Sequence, residues 1–424
     1  MEIVFYIIGV LLLLYCIKNE LITMFFIWPF ILYGLGVVFA LNWESIPFAN
    51  WITEDNIYHS MYIMILVVFL PVLCEKTIFF RDDFLTNKLK EISTNKYAFV
   101  FSMVNSKTYR YYLMGQEIML IMLILASILT GDIIIGNYYP GEAGLWLEIQ
   151  FLTENILVFI ELYIFCMLIN SKFVQRSSIF ELISLTTILI RVLCGTRLFL
   201  FGIFVFVIFI YILMYRNYKK TLALSSIGAI ILSILGFFRN GDLQFYEFVD
   251  ILLPIFSESY FNDITLFIAS NIIVDGIEVN TISTFLWYFH LLVPRFLGRE
   301  VLQDEFSVDQ FSTALGVDSL NPVGGFSFIA QFIYAFGNLW LIPLLMMILF
   351  IICLRKSVSS SLGVFMIFAM VQCSLHLWRD GIPIALKSLV VHTFVNMFIL
   401  MILIKWRKRN EKDHGDFTTT THTS

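Results

Sequence analysis

Five arginines, at four separate places along the chain, have the residue type and the setting to bind phosphate groups. They are Arg197, Arg239, Arg295, Arg299 and Arg379. Each lies close to a glycine and beside an apolar stretch. The guanidinium group is a planar fork of donors that matches phosphate oxygens in pairs, and a bound anion would offset the cost of placing a charge near hydrocarbon. If the four places meet at one membrane depth, they form a cationic pocket for a pyrophosphate group.

Each arginine taken alone has a simpler explanation. An arginine at the end of a membrane span can extend its side chain to the lipid phosphates or pair with a neighbouring acid. Asp380 follows Arg379, and Glu300 follows Arg299. Arg191 fits this explanation better than ligand binding, because it lies inside an apolar stretch rather than in a turn. The pocket hypothesis therefore depends on the whole set of arginines.

The composition places these residues in a membrane protein. Of the 424 residues, 59% are hydrophobic and 14% are charged, and the mean hydropathy is +0.86. A soluble globular protein has about 25% charged residues, so this sequence cannot form a water-soluble surface. The net charge of −5 argues separately against a nucleic-acid binder. We therefore predict an all-α, polytopic helical membrane protein that forms a single membrane domain over residues 1–424.

Eleven apolar stretches approach the length of about 20 residues that a membrane-crossing helix needs. They are 3–17, 21–42, 57–74, 117–135, 149–170, 178–194, 198–215, 221–238, 327–353, 359–377 and 386–404. Because the first is short and the boundaries are uncertain, the sequence predicts about 11 spans, within a range of about 10 to 12.

The basic residues between these spans predict the orientation of the chain. In an eleven-span arrangement, 20 of the 27 lysine and arginine residues fall on one side. That side is the cytoplasm by the positive-inside rule. The loop 75–116 and the polar tail 406–424 carry more than half of them. The N-terminus is then outside, the C-terminus is cytoplasmic, and the five arginines lie on the outer side.

One predicted outer loop, residues 239–326, is much longer than the others. It contains apolar segments, 243–256 and 281–293, that are too short or too interrupted to cross a bilayer. The second is rich in aromatic residues, which favour the depth of the lipid headgroups. We predict that this loop forms a cap of interfacial helices, and long structured loops often carry function.

Three short motifs, taken in order, resemble the Wzy-type polymerases that extend O-antigen and related surface polysaccharides. The first is Cys194-Gly-Thr-Arg197 before an apolar span. The second is the long outer loop that ends in the stretch from Gly325-Phe-Ser-Phe-Ile-Ala-Gln331 to Phe336-Gly337, and the third is Trp378-Arg-Asp-Gly381 before the last span. The resemblance covers roughly residues 180–400 and departs from the family at Gln331, where an acidic residue is usual. An acid role is therefore not assigned to Gln331.

The resemblance implies a glycosyl transfer on the periplasmic face of a bacterial inner membrane. The donor would be a growing glycan on undecaprenyl pyrophosphate, and the acceptor a repeat unit on the same lipid. The non-reducing-end hydroxyl of the acceptor attacks the anomeric carbon of the donor, and undecaprenyl pyrophosphate leaves. A chain-length-regulating co-polymerase would be a partner. No cofactor or metal ion is expected, since the sequence has neither a P-loop nor a D-x-D motif.

The resemblance also implies roles for individual residues. Fixed cations would stabilise the charge that develops on the leaving pyrophosphate. The implied catalytic arginines are Arg197 and Arg379, and the implied substrate-binding arginines are Arg239, Arg295 and Arg299.

A base for the attacking hydroxyl stays open among several residues of the long loop. The candidates are His290, Asp304, Glu305 and Asp309. We prefer His290, which lies in the aromatic segment, and we expect Tyr334 to stack on a sugar ring.

Three other functions stay open. An O-antigen ligase would use the same donor and typically has a histidine in its long loop, a position that His290 could fill. A lipid-linked oligosaccharide flippase or other transporter would carry ionisable residues at mid-membrane, where Glu161 lies. A multi-span acyltransferase would need an outer histidine such as His376 or His392.

Overall fold

A computed structural model gives the fold of most of the chain. It describes residues 2–31, 34, 54–78, 84–130, 145–193, 197–217, 219–221, 223–228, 230–231, 288–293, 327–357 and 361–419. The regular secondary structure of these residues is helical throughout, without strands. Several residues with predicted roles lie outside the described part of the chain: Arg239, Arg295, Arg299, Asp304, Glu305 and Asp309.

Within this part of the chain, four helical stretches are long and apolar enough to cross a membrane. They are Tyr58–Ile78, Lys107–Leu129, Phe151–Phe173 and Ile382–Arg407. Shorter apolar helices cover Ile3–Lys18, Gly202–Tyr215 and Phe328–Leu339. This architecture is that of a helical membrane protein, as the composition predicts. The number of eleven spans stays a prediction.

The helices are named here in chain order. They are α1 (Glu2–Lys18), α2 (Met24–Ile27), α3 (Glu54–Ile78), α4 (Phe84–Thr94), α5 (Phe99–Val104), α6 (Lys107–Leu129), α7 (Leu145–Asn170), α8 (Ser178–Leu193), α9 (Arg197–Tyr215), α10 (Phe328–Phe336), α11 (Leu341–Ser357), α12 (Ser361–Arg379), α13 (Ile382–Lys387) and α14 (Asn396–Thr419). A π-helix, Ser388–Val395, joins the last two, and 3₁₀ turns cover Ser171–Phe173, His290–Leu292 and Gly337–Leu339.

Six helices lie where the apolar stretches predict spans. They are α1, α3, α7, α8, α9 and α12, and their ends differ from the predicted ends by at most about four residues. The agreement has a simple cause. Each of these stretches is predominantly apolar over its length, so the extent of the helix is visible in the sequence.

The predicted cytoplasmic loop 75–116 is largely helical. It contains α4, α5 and the first turns of α6, which begins at Lys107 and not near residue 117. Ser106 starts this helix, because its side-chain oxygen accepts a hydrogen bond from the Tyr109 amide at 3.1 Å. A search for apolar stretches of span length does not detect this start, because the first turns of α6 are polar.

The predicted span 327–353 is two helices and not one. The first, α10, ends at Gly337, whose φ of 52° lies in the left-handed region that glycine adopts without strain. A 3₁₀ turn then leads into α11. Gly337 therefore acts as a helix terminator.

The chain forms two compact units. The first contains Met1–Lys88, Ser225–Phe237 and Asp242–Leu389, and the second contains Leu89–Leu224, Phe238–Gly241 and Val390–Ser424. The second unit is built around α7, against which α5, α6 and α9 pack, while α8 and α14 pack on α6. The buried Tyr109 hydroxyl fixes α6 to α7 by donating to the Phe159 carbonyl at 2.5 Å.

The first unit contains a buried polar cluster around Glu75, near the end of α3. The Glu75 carboxylate accepts hydrogen bonds from the Ile22 and Thr23 amides at 2.9 and 2.8 Å and from the Thr23 hydroxyl at 2.7 Å. It also pairs with the Arg355 guanidinium from the last turn of α11. This cluster joins the chain before α2 to α3 and α11.

Helix α1 packs in the same unit through a close approach. The Phe30 ring lies directly against Gly9, and a Cβ atom at that position would overlap the ring. Glycine is therefore the residue that allows α1 to approach the segment after α2.

Candidate functional site

The turn that ends α12 is the centre of the candidate site. Arg379 is the last residue of this helix, and the amides of Asp380 and Gly381 both donate to the His376 carbonyl, at 2.7 and 2.9 Å. Gly381 has φ 86° and ψ −169°, a conformation that side chains other than that of glycine rarely adopt. Ile382 then begins α13, with proline in its first turn. The Trp378–Gly381 motif is thus a sharp, glycine-dependent corner between two helices.

Gln331 of α10 fixes this corner. Its side chain is fully buried, and its Oε1 accepts a hydrogen bond from the Ile382 amide at 2.8 Å. The free amide at the start of α13 therefore gains a partner inside the protein. This bond joins the second motif of the family resemblance, which contains Gln331, to the residue that follows the third motif.

The aromatic segment of the long loop reaches the same place. The Tyr288 hydroxyl donates to the Gln331 carbonyl at 2.6 Å, and the His290–Leu292 turn packs against α13. Burial raises the pKa of the Tyr288 phenol well above its ordinary value, so the hydroxyl keeps its proton and stays a donor. Three segments that are distant in sequence, around 288, 331 and 380, therefore meet.

An aromatic cluster supports the turn from within the first unit. The Trp378 ring packs against Phe26, Phe30 and Phe328, with ring centroids 5.5 to 6.4 Å apart. The Trp378 indole donates to the Phe26 carbonyl at 2.9 Å. A second indole, that of Trp28, donates to the Ser374 hydroxyl one turn earlier on α12, at 2.8 Å. Trp378 is thus an anchor of the corner.

The polar side of the turn carries three ionisable groups. The Nδ1 atom of His376 lies 2.7 Å from Oδ2 of Asp380, and Nε of Arg379 lies 4.0 Å from the other carboxyl oxygen. Both Arg379 and Asp380 are half-buried. Asp380 can orient the His376 ring by accepting from Nδ1, which directs any proton transfer to Nε2. The arrangement therefore places a cation and an oriented imidazole at one corner.

The other residues predicted for the site lie in different parts of the structure. Tyr334 is half-buried on α10, three residues after Gln331. His290 begins the turn against α13, although its side chain lies outside the described part of the structure. Arg197 is the first residue of α9 and belongs to the second unit. The convergence of all five arginines therefore stays a prediction, and Arg379 is the one that the structure describes within the corner.

Sequence reasoning missed the link between His376 and Asp380 and the bonds made by Gln331. The histidine and the aspartate are four residues apart, a spacing that brings side chains together on a helix and could have been noticed. Gln331 and Tyr288 bond to backbone groups far away in sequence, and no spacing pattern reveals such contacts.

The part of the chain that the structure describes holds no group of three or more His, Cys, Asp or Glu side chains arranged for a metal ion. Comparisons with protein-family models, with curated proteins and with solved structures find no match for this chain.

Proposed function

We propose that this protein is a polysaccharide polymerase of a bacterial inner membrane. It would transfer a growing glycan from undecaprenyl pyrophosphate to the non-reducing end of a lipid-linked repeat unit, on the periplasmic face. The observation that carries the proposal is the contact among the segments around Tyr288, Gln331 and Arg379. Two of the three motifs of the family resemblance belong to these segments, and their meeting gives the resemblance a spatial basis.

The chemistry of the corner suits this reaction. The acceptor hydroxyl oxygen would form a bond to the anomeric carbon while the bond from that carbon to the pyrophosphate oxygen breaks. Arg379 would stabilise the negative charge that the departing undecaprenyl pyrophosphate carries away. The hydroxyl proton would pass to a base, and the His376 ring, held by Asp380, is the base that the described geometry favours.

The other predicted residues complete the proposed site. Arg197 would act with Arg379 on the leaving group, and the remaining three arginines would hold the two lipid pyrophosphates. His290 stays the alternative base, since its turn packs on α13, and Tyr334 stays the aromatic candidate for a sugar face. The proposed orientation has the N-terminus outside and the C-terminus in the cytoplasm, and a chain-length-regulating co-polymerase is the proposed protein partner.

A transporter is the second candidate, and one observation favours it. In the second unit, the buried His392 contacts the carboxylate of Glu154 within a membrane-spanning stretch. Ionisable residues in such positions often mark ion or substrate pathways. A lipid-linked oligosaccharide flippase would have this feature. The ligase alternative has the same donor chemistry as the polymerase.

The deciding experiment is deletion of the gene, followed by analysis of the surface-polysaccharide ladder and of lipid-linked intermediates. A polymerase predicts that one repeat unit still reaches the core and that the longer bands are lost. A deletion strain with an unchanged ladder would contradict the proposal.

Two further outcomes would replace the polymerase with another function. Bare core together with accumulated lipid-linked polymer would identify a ligase. Bare core with single lipid-linked units held on the cytoplasmic side would identify a flippase. Plasmid-borne wild-type protein should restore the ladder in every case, which excludes effects on neighbouring genes.

A further inference from the structure

Three candidate membrane spans have an end at the same face of the second unit. They are Lys107–Leu129, Phe151–Phe173 and Ile382–Arg407. The Asn105 side-chain amide, just before the first span, donates to the Phe173 carbonyl at 2.7 Å. The Arg407 guanidinium lies over the ring of Tyr111, one turn inside the first span, with 6.0 Å between Cζ and the ring centroid. The ends Lys107, Phe173 and Arg407 therefore lie together, at the depth of the lipid headgroups.

The contact between Tyr111 and Arg407 holds a cation at this depth. It joins α6 to α14, which pack against each other, and a guanidinium over an aromatic ring is attracted by the ring's electron-rich face. The Tyr111 side chain is 64% exposed, so the pair lies at the surface of the unit. Trp406, next to Arg407, is 63% exposed and has the residue type that membrane proteins place at the headgroup level. The ring therefore limits the positions that the Arg407 side chain can take.

Lys107 adds a second positive charge beside this pair. It is exposed and comes four residues before Tyr111, a spacing that places both residues on one face of α6. Glu181 begins its helix at the same end of the unit, but its charge is matched by Arg176 at 3.0 Å. The surface around Tyr111 therefore favours an anionic group.

An apolar strip leads from these charges along α6. Gly115 follows Tyr111 by one turn, and a Cβ atom added there would meet no other atom within 4 Å. Ile118 and Met122 continue the same helix face and are 50% and 63% exposed. The glycine thus leaves a notch beside the Tyr111 ring, and the flexible methionine can adapt its shape to a neighbouring chain. A hydrocarbon chain fits this strip.

We propose that this surface is a binding site for one anionic phospholipid. The lipid phosphate contacts Arg407 and Lys107, Tyr111 positions the guanidinium, and an acyl chain lies over Gly115 along α6. A zwitterionic lipid fits less well, because its ammonium group is repelled by the two basic residues, whereas basic pockets between membrane helices attract anionic headgroups. The site is independent of the proposed glycosyl transfer, since none of these residues has a role in that reaction.

Native mass spectrometry of the full chain in detergent tests the proposal without any substitution. The protein is titrated with phosphatidylglycerol or with phosphatidylcholine of the same acyl chains, and the dissociation constant of the first bound lipid is measured. Two basic residues should make the first phosphatidylglycerol bind roughly 30-fold more tightly than the first phosphatidylcholine. Equal affinities would overturn the proposal. Soluble glycerol phosphate should not displace the lipid, and displacement would identify a free phosphate as the ligand and reject a lipid site.

Substitutions at the charged end locate the site. Arg407→Ala and Lys107→Ala should each weaken the first phosphatidylglycerol by about fivefold. Tyr111→Leu should also weaken it, whereas Tyr111→Phe keeps the ring and should retain the affinity. The matched control is Arg176→Ala, which removes an exposed arginine whose charge is matched by Glu181, and it should leave the affinity unchanged. Equal losses in Arg176→Ala and Arg407→Ala would show a diffuse attraction to the whole surface and overturn the proposal.

Gly115→Leu tests the apolar end separately. The space around Gly115 is open, so the variant should fold and elute like the wild type in size-exclusion chromatography. The leucine side chain would fill the notch and should weaken phosphatidylglycerol binding with every charge in place. Wild-type affinity in both Gly115→Leu and Arg407→Ala would place the lipid elsewhere and reject the site.

Discussion

Arg355 and Glu75 form an ion pair in which the side chains are only 4% and 1% exposed. The two residues come from the ends of α11 and α3 and are 280 positions apart in the sequence. Two backbone amides and a threonine hydroxyl saturate the remaining carboxylate positions. A buried pair of this kind needs such additional hydrogen bonds to repay its desolvation.

The first prediction concerns this pair. Arg355→Ala should destabilise the protein by about 3–5 kcal/mol, because it leaves the Glu75 carboxylate buried without its cation. Thermal unfolding of the detergent-solubilised protein, followed by size-exclusion chromatography, measures the effect. The neighbouring Lys356→Ala is the matched control, since Lys356 is exposed, and its unfolding temperature should stay within the error of the wild type. Equal stability of the two variants would show that the pair contributes little.

The buried contact of Arg355 with Glu75 cannot be predicted from the sequence. The positive-inside rule counts Arg355 and Lys356 as equivalent cytoplasmic charges. The structure separates them, since one is buried against Glu75 and the other faces outward. The contact joins distant helices, and a count of charges in a loop contains no information about it. The positions of the helices α7 and α8, in contrast, follow from their apolar sequences.

The sequence likewise predicts one part of the candidate site and not the other. The turn around Arg379 is visible in the sequence, because an arginine, an aspartate and a glycine follow an apolar run. The role of Gln331 is not visible, since its partner is a backbone amide 51 residues away. In the sequence, this glutamine is a departure from a family pattern. In the structure, its side-chain oxygen accepts a hydrogen bond from the Ile382 amide, and a glutamate oxygen could accept the same bond.

A pair of substitutions at Gln331 tests that reading. Gln331→Leu removes the acceptor and leaves the buried Ile382 amide unsatisfied, which should cost about 1–3 kcal/mol and lower activity. Gln331→Glu keeps an acceptor oxygen in place and should retain more activity than the leucine variant. The polysaccharide ladder in the complemented deletion strain, together with unfolding temperatures, measures both. If Gln331→Leu matches the wild type in both assays, the bond does not hold the corner.

The sequence predicts that Lys356, at the end of α11, and Arg379, at the end of α12, lie on opposite sides of the membrane. This prediction can be tested separately. Lysine and arginine counts put Lys356 in the cytoplasm and Arg379 outside. The structure brings the segment 22–28 into contact with both Glu75 and Trp378, so the two ends share a neighbour. Single cysteines at the two positions, in a background without the six native cysteines, should react oppositely with a membrane-impermeant maleimide on whole cells. The positive-inside rule predicts labelling of Arg379→Cys but not of Lys356→Cys. The shared neighbour instead favours similar labelling at both positions, and that result would reject the orientation.

Substitutions that remove the charge of the Arg379 side chain, or keep the charge and change its shape, test the role of this residue. Arg379→Ala should lower polymerisation by about 10²–10³-fold if the guanidinium stabilises the leaving pyrophosphate. Arg379→Lys should recover part of this loss, because lysine keeps the charge but not the planar fork of donors. The matched control is Arg176→Ala, which removes another arginine paired with an acid, here Glu181 at 3.0 Å on the exposed surface. Similar ladders from Arg379→Ala and Arg176→Ala would remove Arg379 from the reaction.

The last prediction separates a base from a structural contact at His376. Glutamine at this position can still donate a hydrogen bond towards Asp380, but it cannot accept a proton at neutral pH. His376→Gln should therefore lower the rate by about 10²–10⁴-fold with little change in unfolding temperature. Asp380→Asn should also lower the rate, because the ring would lose the carboxylate that orients Nδ1.

The dependence of the rate on pH distinguishes the two roles. A general base must be unprotonated, so the wild-type rate should fall as the pH is lowered, and the residual rate of His376→Gln should lose that dependence. Polymerisation of lipid-linked repeat units by the purified proteins, measured across pH, provides the comparison. A His376→Gln protein that keeps the wild-type rate and pH profile would show that His376 is not the base. The candidates would then be His290 and the acidic residues of the long loop. A low rate with an unaltered pH profile would make His376 a positioning residue for the corner that carries Arg379.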